Sequence, residues 1–388
     1  MKPPVVVEAY DPAWPLRFEA EAAALRTVLG DAPTIIHIGS TAVEGLAAKP
    51  IVDIMIGVHS LDDAATMIAP IVSLGYQYIP EYEAEMPERR YFKKLRADGI
   101  HTHHIHLVEA GSPFWERHVY FRDRLRSDRE LAAQYADLKK ELAERYRNDR
   151  VAYTDAKTNF IVAVENELER KNKARERTHP IAQQHLATGD RTGWFEEVYK
   201  TAGRTAASIP WADSKPNPYL VSWLDEHKIV GTGRTALVIG CGLGDDAEAL
   251  AARGFAVTAF DIAPSAIAWA KERFPKTSVN YQVADLFSFS NEQAGKFDFI
   301  FECYTVQALP RDVRDEAIDA VCRFLAPKGE LLVVARGWRG EGLENGPPWP
   351  ITDEEMKRFE TQCTLRSSEE FWEEDLNTRR IRCSYSKD

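Results

Sequence analysis

The sequence predicts an α/β protein of two domains, and three observations carry this prediction. At 388 residues the chain is long for one hydrophobic core and suits two. The stretch ALVIGCGLGDD, from Ala236 to Asp246, is an apolar run followed by a glycine-rich turn, as in a buried strand that leads into a helix. Between Glu165 and Gly193 the apolar stripe disappears and charged residues take over, which predicts a division of the chain.

The domain boundaries follow from that division. We expect a first domain at residues 1–172, a linker at 173–192 and a second domain at 193–388. Pro180 and Gly189 are expected to interrupt the helix that enters the linker. Strand and helix signals alternate after the linker, which is typical of a parallel sheet covered by helices.

Composition disfavours several classes of partner. The net charge of -11 argues against a nucleic-acid partner, because binding to phosphate backbones needs clustered cations. No apolar run reaches the ~20 residues that span a bilayer, and the first residues lack a signal-peptide pattern, so we expect no membrane partner and a cytoplasmic location. The five cysteines form no CxxC pair and no zinc-type cluster. We therefore expect reduced thiols, no metal site and a small-molecule substrate.

The glycine-rich turn predicts a nucleoside cofactor. Asp261 ends the next apolar run, FAVTAFD, where an acid is expected to bind the two ribose hydroxyls. A dinucleotide fingerprint needs a glycine at the position of Asp245, and it places a pyrophosphate at the helix start where Asp245 and Asp246 lie. Two carboxylates would repel a pyrophosphate, whereas S-adenosylmethionine has no phosphate and carries a sulfonium and an ammonium. The sequence therefore favours S-adenosylmethionine over NAD.

Asp285 extends this predicted site. It follows a third predicted strand in NYQVADLF and is the expected acceptor for the adenine amine. Asp246 and Asp285 each have a structural alternative. Asp246 can cap its helix, and Asp285 can start a turn. The ordered set of the glycine-rich turn, Asp261 and Asp285 favours the cofactor site over these alternatives.

Four stretches in the second half carry a family resemblance. They are WADSKPNPYL at Trp211, VIGCGLGDDAEALA at Val238, FECYTVQALP at Phe301 and ENGPPWPIT at Glu344. In this order they resemble class I S-adenosylmethionine-dependent methyltransferases, and within them the thiopurine and thiol methyltransferase group. The resemblance implies a Rossmann-like second domain that methylates a small nucleophile.

The resemblance also implies which residues hold the cofactor. The glycine-rich turn would contact the methionine part, and the Trp211 ring would lie over the sulfonium as a cation–π partner. Packing of a large aromatic side chain in the core is the alternative for Trp211. The implied cofactor-binding residues are Trp211, Gly240, Cys241, Gly242, Gly244, Asp261, Ile262, Asp285, Leu286 and Glu302.

The implied reaction requires little acid–base catalysis by the protein. Methyl transfer from a sulfonium is an in-line displacement, so alignment and desolvation can supply most of the barrier reduction. A thiol acceptor ionises near pH ~8.5 and needs only modest help, which favours sulfur as the acceptor atom. Glu302 and Tyr304 are the candidate catalytic residues, and Arg336 and Arg339 are available to orient an anionic acceptor.

The first half resembles the GrpB family. Three stretches carry this resemblance: HIGSTAVEGLAAKPIVDIMIGV from His37, HHIHLV from His103 and FWERHVYFRDRLR from Phe114. The resemblance implies an α+β fold related to nucleotidyltransferases, in a family whose activity is poorly defined.

The residues of the first half favour a phosphorylated ligand but not magnesium chemistry. Gly39 and Ser40 form a turn that can hold a phosphate, and Lys49 precedes the strand IVDIMI. Asp53 and Met55 share one face of that strand, where active nucleotidyltransferases place two magnesium-binding acids. Met55 cannot bind magnesium, so nucleotidyl transfer would need a second acid from elsewhere in the chain.

Histidines and basic residues complete the candidates in the first half. His104 and His106 alternate in HHIHLV and face one side of a strand, either beside Asp53 or as packed side chains. Two basic runs, at 89–96 and 122–126, are solvated faces unless they converge with Lys49 and Ser40 on a phosphorylated ligand.

The leading hypothesis is a methyltransferase acting on a small thiol, fused to a domain that binds a nucleotide or a phosphorylated molecule. One alternative is a bifunctional nucleotidyltransferase and methyltransferase. Another gives the first domain a non-catalytic role in binding or dimerisation. A cofactor sensor without turnover is disfavoured, because the cofactor motifs are intact.

Overall fold

The computed structural model describes residues 4–289, 291–338, 346–373 and 378–387. They form two compact units, one ending at Glu169 and the other beginning at Arg170. Each unit is built on one β-sheet, with five strands in the first and seven in the second. The prediction of a two-domain α/β protein is confirmed.

The first unit is a mixed sheet with helices on both faces. In chain order the elements are α1 (Ala13–Leu29), β1 (Thr34–Ile38), β2 (Val52–Val58), α2 (Ala64–Ser73), β3 (Gln77–Tyr78), β4 (Arg89–Leu95), β5 (His101–Glu109), α3 (Pro113–Ser127), α4 (Arg129–Arg145), α5 (Arg150–Asp155) and α6 (Thr158–Ala187). The strands lie in the order β1-β2-β5-β4-β3, and only the central pair, β2 and β5, is parallel. Helices α1 and α2 cover one face and α3 covers the other.

Strand alternation in β2 places its polar residue where the sequence predicts. Asp53 and Met55 lie on the face that α3 covers, and Met55 is fully buried beside Trp115. In the parallel register with β5, Asp53 pairs with His104 and Met55 with His106. Met55 is therefore a core residue, and Asp53 is the acid that the strand offers on this face.

Residues predicted as linker are largely helical. Helix α6 continues through Pro180 and ends at Ala187, so only a short segment separates it from the next helix. Its charged run consists mainly of glutamate, lysine, arginine and alanine, which are strong helix formers even without an apolar stripe. Ala174 and Ala182 are fully buried, so this part of the helix packs on one side.

The second unit is a doubly wound sheet. Its elements in chain order are α7 (Gly193–Thr201), α8 (Pro218–Glu226), β6 (Thr235–Ile239), α9 (Asp245–Ala252), β7 (Ala256–Asp261), α10 (Pro264–Arg273), β8 (Asn280–Val283), β9 (Phe297–Cys303), α11 (Arg314–Phe324), β10 (Leu325–Trp338), α12 (Asp353–Arg358), β11 (Thr364–Glu373) and β12 (Thr378–Ser386). The strands lie in the order β11-β12-β10-β9-β6-β7-β8, in which only β12 is antiparallel to its neighbours.

The strand order creates a crevice at the centre of this sheet. From β6 the chain steps outward to β7 and β8, then crosses back to place β9 on the other side of β6. Ligands of open α/β sheets bind at such a reversal, outside the carboxyl ends of the strands. Alternate residues of the central strands pack against α11 on one face and against α8 and α9 on the other. The Rossmann-like prediction for this unit is confirmed.

Among the residues that the structure describes, no helix is both long and apolar enough to cross a membrane.

Candidate functional site

The glycine-rich turn lies at the carboxyl end of β6, beside the reversal in strand order. Gly240, Gly242 and Gly244 have φ angles of 60°, 52° and 92°, a region that side chains disfavour. A Cβ atom at Gly240 would stand 2.4 Å from Thr305 Oγ1, and one at Gly244 would stand 2.3 Å from the Tyr281 hydroxyl. Both backbone conformation and crowding therefore require glycine at these two positions.

Asp261 connects this turn to the end of β7. Its Oδ2 accepts a hydrogen bond from the Gly242 amide at 2.9 Å, and its Oδ1 accepts one from the Ala263 amide at 2.9 Å. The carboxyl group is buried, which raises its pKa to about 6 despite these amide bonds. The structure thus brings together the acid and the turn that the sequence assigns to one cofactor.

The two acids after the turn have different surroundings. Asp245 forms a double ion pair with Arg273, at 2.6 and 2.7 Å, which offsets part of the negative charge expected to repel a pyrophosphate. Asp246 Oδ1 accepts from the Asn217 amide at 2.6 Å, and burial raises the pKa of Asp246 to about 7, with the charges of Asp245 and Asp213 adding to the effect. The repulsion of a pyrophosphate is therefore weaker than the sequence predicts, and Asp246 contributes to it only in its ionised form.

Asp285 starts a turn after β8. Its Oδ1 accepts from the Phe287 amide at 2.9 Å, which is the geometry of the structural alternative. The Ala284 amide donates to the backbone carbonyl of Asp261 at 3.1 Å, so this turn lies beside the end of β7. Leu286 is buried in the core and Ile262 is half-buried. The adenine role of Asp285 and Leu286 stays a prediction, as does the ribose role of Ile262.

Trp211 belongs to an aromatic cluster near the turn. Its Nε1 donates to the Tyr199 hydroxyl at 2.8 Å, and its ring meets Trp194 and Phe195 edge-on at 5.9 and 6.0 Å. The Tyr199 hydroxyl lies 3.1 Å from the position of a Gly242 Cβ atom. Sequence reasoning missed Tyr199, although it follows Phe195 by four residues on α7, a spacing that places both side chains on one face of the helix. Cation–π contact between Trp211 and a sulfonium stays a prediction.

Glu302 is almost fully buried at the end of β9. Its Oε1 accepts from the amides of Thr305 and Val306 at 2.8 and 2.9 Å, so it orders the loop that follows the strand. Burial raises its pKa to about 7. Since its exposed fraction is 1%, this placement favours a positioning role over direct contact with an acceptor.

The buried state of Glu302 predicts a pH-dependent difference from Glu302→Gln. The folded-state pKa of about 7 exceeds the ordinary value of 4.5, so the unfolded chain loses this proton first and stability falls as pH rises between the two values. Glutamine stays neutral and keeps an acceptor oxygen. From pH 5 to pH 8 the variant should gain up to about 3 kcal/mol relative to the wild type, measured by chemical unfolding. The exposed Glu316→Gln is the control, and equal pH profiles for all three proteins would contradict this account.

Beyond β9 lies the candidate acceptor region. Tyr304 has a φ of 60°, rare for a tyrosine, and its ring faces the Arg380 guanidinium at 5.5 Å. Arg336 on β10 pairs directly with Arg380 on β12, and both point to the face that α8 covers. Asn217 donates through Nδ2 to Cys303 Sγ at 3.2 Å. These groups suit a small acceptor that carries negative charge.

Sequence reasoning found part of this region. Asn217 caps α8 by accepting from the Tyr219 amide at 2.9 Å, and the dipeptide Asn-Pro within WADSKPNPYL is a signal for such a helix start. Arg380 has no local signal, because it reaches the site only through the pairing of distant strands. The candidate Arg339 lies outside the described residues.

In the first unit, hydrogen bonds connect Asp53 to two histidines. Its Oδ1 contacts His104 Nδ1 at 3.1 Å, and His104 Nε2 contacts His101 Nδ1 at 2.9 Å. A Cβ atom at Gly39 would stand 2.6 Å from Asp53 Oδ2, so the carboxylate lies against the glycine turn. His106 does not join this chain and instead contacts Arg89 at 3.4 Å. Within the described ranges, no three His, Cys, Asp or Glu side chains are grouped to hold a metal ion.

The cations around the predicted phosphate turn have different partners. Arg122 donates to the carbonyl of His37 and Arg126 to that of Ala42, both at 3.0 Å, so these side chains hold the backbone. Lys139 on α4 instead donates to Ser40 Oγ at 2.9 Å. No local pattern singles out Lys139, since it lies on an amphipathic helix rich in charge.

Comparison with known proteins matches the two halves of the chain to different families. Residues 4–167 match the family model described as GrpB protein, and residues 204–384 match the model described as thiopurine S-methyltransferase. A UPF0157 protein of Pseudomonas aeruginosa is 38% identical over 203 residues, which cover 52% of this chain and 80% of that protein. The 2-heptyl-1-hydroxyquinolin-4(1H)-one methyltransferase of Mycobacteroides abscessus is 27% identical, covering 42% of this chain and 73% of that protein. A crystal structure of GrpB from Enterococcus faecalis is 34% identical, covers 42% of this chain and 96% of its own, and has a TM-score of 0.38.

Proposed function

We propose that this chain, which belongs to the GrpB family through its first half, methylates the sulfur of a small thiol. The match of its second half to the thiopurine S-methyltransferase family supports this proposal. The second half is a methyltransferase, and S-adenosylmethionine supplies the methyl group as a sulfonium. The observation that carries the proposal is the contact of Asp261 with the glycine-rich turn at the strand-order reversal. A buried carboxyl there, with a second at Asp246, suits a cofactor that is cationic and lacks phosphate.

The chain's own residues then have distinct tasks. The turn and Asp261 hold the nucleoside. Tyr304 and the loop ordered by Glu302 form the neighbouring acceptor region. Arg336 and Arg380 attract an ionised acceptor, which favours a thiolate over a neutral amine. Alignment in a site that excludes water supports the displacement without a dedicated base.

The test is turnover by the full chain with S-adenosylmethionine, measured as release of S-adenosylhomocysteine. The acceptor panel contains small thiols, selenols, amines, phenols and an N-hydroxylated quinolone, the class named for the Mycobacteroides abscessus relative. We expect release that requires a thiol. Release with the quinolone or a phenol but with no thiol would contradict the sulfur preference. Absence of S-adenosylmethionine binding would contradict the whole assignment.

For the first half, we propose that it binds a nucleotide or another phosphorylated molecule. The turn at Gly39 and Ser40 and the neighbouring Lys139 support this proposal. If the bound molecule is also the methyl acceptor, the fusion joins two steps on one substrate. The alternative of a non-catalytic module is motivated by Met55, and magnesium-dependent nucleotidyl transfer by the full chain would exclude it.

A further inference from the structure

Three lysines of the first unit converge near the turn at Ser40. Lys139 is 3% exposed and donates through Nζ to Ser40 Oγ at 2.9 Å and to the carbonyl of Ala47 at 2.5 Å. The ammonium groups of Lys49 and Lys157 both face the ring of Tyr153, at 4.0 and 4.7 Å from its centre. Lys49 lies in a loop, Lys139 on α4 and Lys157 in the turn between α5 and α6, so this grouping is visible only in the fold.

These lysines have no acidic partner among the residues that the structure describes. In the described ranges, no carboxylate oxygen lies within 4.0 Å of the Nζ atom of Lys49, Lys139 or Lys157. Asp53 is the acid whose charge acts on Lys49 and Lys157, and it is already hydrogen-bonded to His104. A group of neighbouring cations, one buried and two half-buried, is costly without counter-charge, and a multiply charged anion would relieve that cost.

The pKa values of the lysines reflect this shortage of negative charge. Burial, together with the charges of Lys157 and Arg150, lowers the pKa of Lys49 to about 7 against the opposing effect of Asp53. Burial likewise lowers the pKa of Lys139 to about 7, with Lys157 contributing. Above pH 7 both amines are therefore largely neutral in the free protein, although each still donates hydrogen bonds.

We propose that Ser40, Lys49, Lys139 and Lys157 bind the phosphate groups of a di- or triphosphate, with lysine charge in the place of magnesium. This inference rests on the proposal that the first half binds a phosphorylated ligand, and it specifies where and how. Met55 supports it, because a buried thioether occupies the strand position from which a second acid would reach a metal ion. Three cations and a hydroxyl supply the donors that phosphate oxygens need.

Proton uptake gives the proposal a distinctive signature. Phosphate groups beside the amines favour their charged forms, so binding raises the pKa values of Lys49 and Lys139. At pH 8 the protein should therefore take up protons as it binds. Binding to exposed, already protonated lysines would take up none.

The experiment is isothermal titration calorimetry of the full chain at pH 8 in EDTA, in two buffers of different ionisation enthalpy. The probes are inorganic pyrophosphate, tripolyphosphate and ATP. We expect binding without magnesium, with net proton uptake from buffer. Lys49→Gln and Lys157→Gln should each weaken it about tenfold or more, as expected for loss of a charged hydrogen bond. Lys140→Gln, on exposed surface of the same helix as Lys139, should leave it unchanged.

The outcomes separate this inference from the broader proposals. Binding that requires magnesium, or that survives both lysine substitutions, would overturn the lysine site while leaving a phosphorylated ligand possible for the first half. A folded chain that binds none of the three probes would overturn both. S-adenosylmethionine binding, measured on the same samples, reports on the second half alone and should not change in these variants.

Discussion

Asp261→Ala should weaken S-adenosylmethionine binding by about a hundredfold or more, because it removes two functions of one carboxylate. The carboxylate fixes the glycine-rich turn through the amide of Gly242 and the start of the next helix through that of Ala263. We propose that it also accepts the ribose hydroxyls. Alanine supplies none of these acceptors and leaves both buried amides without a partner.

Asp261→Asn separates charge from shape. Each oxygen of the carboxylate accepts from a different backbone amide, so the NH₂ of asparagine must face another donor at one of them. We therefore expect this nearly isosteric variant to bind the cofactor almost as poorly as alanine. Equilibrium binding of S-adenosylmethionine by calorimetry measures the effect, and thermal melting checks that each variant is folded.

The same carboxyl group should make cofactor binding pH-dependent. Its pKa of about 6 means that it is largely protonated at pH 5 and ionised at pH 7, and ribose hydroxyls bind best to the ionised form. Affinity should rise over that interval, and ionisation of Asp246, whose pKa is about 7, should extend the rise to about pH 8. The control is Asp319→Asn, whose carboxylate contacts Arg358 and Gln362 away from the turn. Asp261 variants with wild-type affinity would contradict the assignment of the cofactor site.

The sequence predicted the cofactor side of the site better than the acceptor side. Asp261 and the glycines follow consecutive parallel strands, and the carboxyl ends of such strands meet, so local pattern was enough to bring them together. Tyr199 and Asn217 also belong to local helices with readable signals. Arg380 is different, since it reaches Tyr304 only because β12 inserts beside β10.

Two other features could not be predicted for physical reasons. The charged run of α6 was interpreted as the approach to a linker because it lacks an apolar stripe, but helix propensity and two buried alanines suffice to keep it helical. The charge of Asp245 is offset by Arg273, a partner on a different helix. Long-range ion pairs of this kind leave no trace in local sequence.

Arg314→Met should destabilise the second unit by about 3–5 kcal/mol, the usual cost of breaking a buried ion pair by removing one partner. Arg314 is fully buried at the start of α11, and its Nη1 lies 2.9 and 3.0 Å from the two carboxylate oxygens of Glu355. It also donates to the carbonyls of Gln307, Leu309 and Trp349. Methionine fills similar space but leaves these acceptors buried without a donor.

The substitution should also affect the acceptor side of the site. Gln307, which Arg314 holds, accepts through Oε1 from the amide of Arg336 at 2.7 Å, and its carbonyl accepts from the Trp349 amide at 3.0 Å. Loosening this loop should raise the KM for the acceptor more than it weakens the cofactor, since Asp261 is untouched. Hydrogen exchange of peptides covering α11 and β9 measures the free energy of opening in this unit without assuming two-state unfolding of the chain.

Arg311→Met supplies the matched control for this prediction. Arg311 approaches the same Glu355 at 3.4 Å and the carbonyl of Pro350, which Arg314 also contacts, at 3.4 Å, but its side chain is 32% exposed. Solvent can replace its contacts, so the expected loss is at most about 1 kcal/mol. If both variants lose equal stability, the cost comes from removing any positive charge near Glu355. If only Arg314→Met is strongly destabilised, the buried network of carbonyls and carboxylate is what holds the acceptor loops in place.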